Sequence, residues 1–89
     1  MNRHVQRPGV SATDVDGDIF LVDPDSEEVF YLNALASGLW RIVEAPATLA
    51  EAQATVRAAF PDRPAGELDR DVADALEALL ARGFVINVP

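Results

Sequence analysis

An 89-residue chain with 15 acidic and 7 basic residues carries a formal charge of -8 and contains no lysine. That balance repels phosphate backbones and anionic bilayers, so it argues against nucleic-acid and membrane partners and favours a partner of positive charge. A chain of this size forms one small domain burying little more than ~60% of its unfolded surface; it has no cysteine to reinforce it, and a 49% hydrophobic composition is that of a folded protein.

Residues 1–9 read as a flexible N-terminal arm, and residues 10–89 as a single domain. The arm lacks the apolar segment of a secretory signal, and no apolar run approaches the ~18–20 residues that span a bilayer. A cytoplasmic location is the simplest reading. Val10 to Val15 alternates weakly as a first strand, and Asp16-Gly17 is a two-residue hairpin signal, because both positions of such a turn need positive φ. Ile19 to Val22 is a β-branched and aromatic second strand, and Asp23-Pro24-Asp25-Ser26 is turn chemistry. Glu28 to Leu32 is the third strand. Within it Val29, Phe30, Tyr31 and Leu32 follow one another with no alternating polar residue, so both faces are apolar.

Asn33 stands where an N-cap belongs, and Leu35, Leu39, Ile42 and Val43 recur at helical spacing until Pro46. Gly38 within that helix suggests close packing against a neighbour. Thr48 and Glu51 form a capping box for a second helix that runs to about Phe60. A third helix runs from about Gly66 to Arg82, stops at Gly83, and is followed by a short closing strand, Phe84 to Val88. On this third helix Leu68, Val72, Ala75 and Leu79 form one stripe, and Ala73, Leu76 and Leu80 widen it to an arc of roughly 160°. A surface helix needs only about 100° to meet its core. The surplus is covered by another helix of the domain, or lines a groove beside the third strand.

Catalytic and metal chemistry find no frame in this pattern. An EF-hand loop starting at Asp14 would need Gly at its sixth position and Glu at its twelfth, where Ile19 and Asp25 stand. His4 is the only histidine and lies on the arm, so Ser11, Ser26 and Ser37 have no base in a rigid setting. Ser37 reads as a small packing residue. No cofactor and no metal site is expected, and an enzyme is not. The third helix offers Arg70 and Arg82 amid Asp69, Asp71, Asp74 and Glu77, a poor surface for base edges.

Taken in order, "FLVDPDSEEVFYLN", "LNALASGLW", "TLAEAQATV" and "DVADALEALLARGFV" make the chain resemble the PqqD family over about residues 10 to 86. These are peptide chaperones of the kind called RiPP recognition elements, where RiPP denotes a ribosomally made and post-translationally modified peptide. Two departures stand out: Val29-Phe30-Tyr31 replaces a tyrosine-rich strand, and Ala75 replaces the usual phenylalanine. The resemblance implies an α+β, winged-helix-like domain, with a three-stranded antiparallel sheet followed by three helices. It also implies binding of a precursor's leader peptide and its presentation to a modifying enzyme, often a radical SAM protein, as in PQQ biosynthesis. In the family the leader adds as a strand along the third strand, with the third helix as the opposite wall.

An exposed strand edge is normally blunted by Lys, Pro or a bulge, and Val29 to Leu32 carries none of these. The backbone of Val29, Phe30, Tyr31 and Leu32 is therefore the expected docking edge, with Phe30 and Leu32 facing inward and Val29 and Tyr31 outward. Val72, Ala73 and Leu76 are the expected apolar wall; Asp69 and Asp71, near the start of the third helix, either hold a Lys or Arg of the leader or simply complement the helix dipole. The runner-up is a winged-helix regulator that binds another protein or DNA. A further possibility is an edge-paired homodimer rather than a monomer.

Overall fold

The computed structural model describes residues 2–89. The strands are β1 (Arg3–Gln6), β2 (Ser11–Val15), β3 (Asp18–Val22), β4 (Val29–Leu32) and β5 (Val85–Val88). The helices are α1 (Ala34–Ile42), α2 (Leu49–Ala59) and α3 (Ala65–Ala81), all between β4 and β5. Strands β2, β3 and β4 form an antiparallel sheet in that order, and β1 and β5 form a separate antiparallel pair.

Local chemistry accounts for most of these elements. Asp16 and Gly17 take φ of 55° and 94°, both positions left-handed as the tight hairpin requires, and Gly17 N–H donates to Asp14 Oδ1 at 2.8 Å. Asn33 caps α1 by accepting from Ala36 N–H, and Thr48 and Glu51 cap α2 reciprocally. Helix α3 ends in a Schellman motif. Gly83, at φ 78°, donates to Leu80 O, and Phe84 donates to Leu79 O, which turns the chain sharply back into β5.

The helices pack on one face of the sheet. Leu21, Leu39, Val43, Val56, Leu68, Val72, Leu79 and Val85 are fully buried at their junction, each large side chain contributing roughly 1.5–3 kcal/mol by leaving water. The other face of β2–β4 has no covering layer among the described residues, and every residue of β2 is exposed.

The expected N-terminal arm is corrected in part. Residue 1 lies outside the described residues, but Arg3 to Gln6 is strand β1, in register with β5 from Arg3↔Val88 to Gln6↔Val85. His4 and Ala47 exchange both backbone hydrogen bonds, and Gln6 Nε2 donates to Trp40 O at 2.8 Å. A four-residue strand with one aliphatic side chain has no readable period, and its partners lie at the far end of the sequence.

Gly38 is a second correction. A Cβ there would meet nothing within 4 Å, so close packing does not explain this glycine.

Candidate functional site

Strand β4 is the outer strand of its sheet, and the direction of its backbone groups follows from two fixed points. The hairpin closes on the pair Val15↔Asp18, which aims the backbone groups of Asp18, Phe20 and Val22 at β2. At the other end Asp23 N–H donates to Glu28 O at 3.0 Å. Alternation then assigns the groups of Ile19 and Leu21 to β4, and those of their partners Leu32 and Phe30 to β3. The N–H and C=O of Val29 and Tyr31 are left facing away from the sheet. No hydrogen bond to them occurs among the described residues.

Side chains alternate with the opposite consequence. Leu32 is buried and Phe30 half-buried on the core side, while Val29 is 64% and Tyr31 52% exposed on the outer face. Tyr31 rests against Phe20 with ring centroids 5.3 Å apart, and its hydroxyl donates to Asp18 Oδ2 at 2.9 Å. That hydrogen bond to a carboxylate, helped by partial desolvation and by the negative charge itself, raises the Tyr31 phenol above its usual pKa.

Where β4 meets Asn33, Ser37 replaces a direct rung of the ladder. Its buried Oγ accepts from Ile19 N–H at 2.9 Å and donates to Leu32 O at 3.0 Å. The strand end is thus fixed by α1, and the expectation of a mere packing residue is corrected.

Beside the outward edge lies a cleft of about 150 Å³, lined by Phe30 and Leu32 of β4, Ala36 of α1, and Ala75, Ala78 and Leu79 of α3. The three alanines, each with a single methyl group, leave the space between β4 and the helices unfilled. The helical wall differs from the expected one. Val72 and Leu76 are buried in the core at 0% and 4% exposure. Asp69 turns toward α2, with Oδ1 2.6 Å from Arg57 Nη1 and its carbonyl accepting from Gln53 Nε2.

The reason is helical phase. At ~100° per residue, Asp69, Ala73, Leu76 and Leu80 lie on one side of Val72, and Ala75, Ala78 and Leu79 on the other. The first flank faces α2 and the second faces the sheet edge. Ala73 is therefore on the flank away from the cleft, while Asp71 is at its rim, paired with Arg63 at 2.7 Å. The small residues Ala36, Ala75 and Ala78 were missed, although one signal was present: Ala75 stands where the family resemblance leads one to expect phenylalanine.

The carboxylates near the hairpin are engaged locally. Asp14 accepts from Gly17 N–H and from Arg41 Nη2 at 2.6 Å, and these contacts hold its pKa below the ordinary range. His4 sits on β1, Nδ1 2.6 Å from Asn87 Oδ1. Among the described residues no three His, Cys, Asp or Glu side chains gather as a metal site would require, and no helix is long and apolar enough to cross a membrane.

The sequence from residue 18 to residue 85 matches the family described as coenzyme PQQ synthesis protein D, PqqD. The chain belongs to the PqqD family. The match runs from the first residue of β3 to the first residue of β5, so it includes the open edge and all three helices. Two solved structures share the fold of this PqqD-family chain. TbiB1 in complex with the TbiA(beta) leader peptide superposes with a TM-score of 0.78 at 21% identity, over 91% of this chain and 93% of that one. A lasso peptide synthetase B1 complexed with the leader peptide gives 0.74 at 21% identity, over 93% and 96%. No curated protein matches the chain. The α+β architecture expected from the sequence, a three-stranded antiparallel sheet with three helices, is the one observed, and the β1–β5 pair adds to it.

Proposed function

We propose that this protein is a non-catalytic chaperone that captures the leader of a ribosomally made precursor peptide as an added strand on β4 and presents it to a modifying enzyme. One observation carries the reading. The outward N–H and C=O of Tyr31 border an apolar cleft walled by α3, and those of Val29 continue the same open edge. Main-chain hydrogen bonds from such an edge supply affinity for any extended segment, and the cleft beside it selects side chains. Membership of the family and the leader peptides bound by both structural relatives support the same use. Val29, Phe30, Tyr31 and Leu32 form the docking edge. Ala75, Ala78 and Leu79 take the place of Val72, Ala73 and Leu76 as its wall.

The test is titration of the ¹⁵N-labelled protein with a synthetic leader segment from a precursor encoded beside its gene. The reading requires amide shifts concentrated at residues 29–33 and 75–79. Shifts confined to β1 and β5, or none at millimolar peptide, would remove it. An added modifying enzyme that processes the peptide no faster with the protein than without it would remove the presentation step alone.

A further inference from the structure

The cleft engages only one side of an added strand. Side chains alternate along a strand, and residues directly opposite each other share a face. A guest residue beside Phe30 or Leu32 therefore turns toward the cleft, which those two side chains line. The guest residue between them lies beside Tyr31 and turns to the outer face of the sheet.

That face is mainly apolar. The registers place Val29 and Tyr31 of β4 on it with Phe20 and Val22 of β3 and Thr13 of β2. Asp18 is the only charged residue of the three strands on this side, and none of these strands contains a cation. The Tyr31 ring leans away from the open edge. It rests against Phe20, with centroids 5.3 Å apart, and its hydroxyl reaches Asp18 Oδ2 at 2.9 Å, so both of these contacts lie on β3. Tyr31 is still 52% exposed, and β4 is the outermost strand, so the side of the ring away from Phe20 faces the place of an added strand.

Two properties of this ring select a guest side chain. Because the ring leans over β3, a short β-branched side chain beside Tyr31 stops short of it, whereas a long one spans the gap. The face of an aromatic ring is negative, and a phenol that donates to a carboxylate gains further electron density, so the ring attracts a cation. A planar guanidinium meets these conditions better than an ammonium, because it stacks. The chain builds the same contact on its other side, where the Arg82 guanidinium lies 4.4 Å from the Phe30 ring centroid.

On the reading of β4 as a strand-addition site, we infer that the outer face is a second recognition surface for the guest. The guest residue beside Tyr31, next in sequence to the one in the cleft, is an arginine stacked on the Tyr31 ring. Tyr31 then determines specificity through its ring as well as its backbone. Asp18 holds the ring in place and repels an acidic residue at that guest position.

A double-mutant cycle tests this, because it cancels the general attraction of a chain of charge -8 for any basic peptide. Two labelled synthetic peptides share a Thr- and Val-rich frame with one Leu anchor, flanked on both sides by Arg or by citrulline, its uncharged isostere. One flank lies beside Tyr31 whichever of Phe30 and Leu32 the anchor faces. Fluorescence anisotropy gives the Arg-to-citrulline affinity ratio for the unaltered protein, Tyr31→Leu and Tyr31→Phe; the position is half-exposed, so both variants keep the core. The ratio should be about twofold to fivefold larger in the unaltered protein than in Tyr31→Leu, the range of an exposed cation–π contact. Tyr31→Phe, which keeps a ring, should lie between them. Equal ratios in the unaltered protein and Tyr31→Leu would overturn the inference, since general attraction then suffices, and would leave the groove as a strand site if the citrulline peptide binds. A ratio in Tyr31→Phe as low as in Tyr31→Leu would overturn the ring as the receptor. Binding of neither peptide to the unaltered protein would overturn the groove reading along with it.

Discussion

The Ser37 hydroxyl stands between Ile19 N–H and Leu32 O, 2.9 Å from one and 3.0 Å from the other, and joins two strands through a helix. A direct β3–β4 rung would need no side chain. With Ser37 in the ladder, the position of the β4 end depends on α1, and so does the floor of the cleft. Ser37→Ala leaves a buried donor and a buried acceptor without partners, at a cost of about 1–3 kcal/mol. Urea denaturation should show that loss with an unchanged slope. A loss below about 0.5 kcal/mol would mean that the strands close into a direct rung.

Neighbouring positions on β4 should respond oppositely to proline. Tyr31 N–H faces away from the sheet, so Tyr31→Pro should leave the protein folded while weakening a leader segment about threefold to tenfold, the value of one net hydrogen bond. Phe30 N–H faces β3, so Phe30→Pro removes a ladder bond and should unfold the protein at ordinary temperature. Circular dichroism melts and calorimetric titration of the pair check this. Equal damage from both changes would invalidate the assignment of which groups face outward.

The two flanks of α3 should also separate. Leu76 is 4% exposed in the core, so Leu76→Asp places an uncompensated charge there and should abolish folding. Ala75→Leu and Ala78→Leu put extra atoms into the 150 Å³ cleft instead. Each should lower peptide affinity by tenfold or more while the melting temperature moves by only a few degrees. Undiminished affinity in both would move the guest out of the cleft.

Gly38 occupies a half-buried position in α1 where an added methyl meets no neighbour. Gly38→Ala should therefore stabilise the protein by about 0.5–1 kcal/mol, through the reduced freedom of the unfolded chain. A shift of the urea midpoint to higher concentration, with peptide affinity unchanged, is the expected result.

The Tyr31 phenol should titrate above a free tyrosine, because its proton is held by Asp18. The sign follows from linkage. A group whose folded pKa is raised contributes its stability below the unfolded value near 10, and loses it as pH climbs through the folded value. Absorbance at the phenolate band should show a midpoint above 10 that falls back toward it in Asp18→Asn. An identical midpoint in both proteins would mean that the hydrogen bond does not persist in solution.

What the sequence revealed and what it concealed divide by the range of the forces involved. Asp16-Gly17, Asn33, Thr48 with Glu51, and Gly83 act within a few residues, so turns, caps and helix ends were readable from composition and spacing. The order of the three-stranded sheet followed from those turns. The α3 wall did not. An apolar arc of roughly 160° says that both flanks of the helix are covered, but the choice of partner for each depends on where α2 crosses. The flank with Asp69 and Ala73 went to α2, and the flank with Ala75 and Ala78 to the sheet edge. Strand β1 was hidden for a related reason, since its partners Val85 to Val88 lie a whole chain away and its own side chains show no period. Ser37 was misjudged because a serine beside a glycine gives no sign that its hydroxyl completes a strand pair.

Pairing of β1 with β5 sets Arg3 directly across from Val88, away from the open margin of β4. A short linker joining the outer ends of β1 and β5 therefore spans only the width of a strand pair, about 5 Å. Circular permutants cut in the exposed turn around Pro24 to Ser26 are topologically accessible, and so is insertion of the whole domain into a loop of a larger protein. Tethered in that way, the same unit could be carried on the surface of an unrelated catalyst with its groove still facing outward.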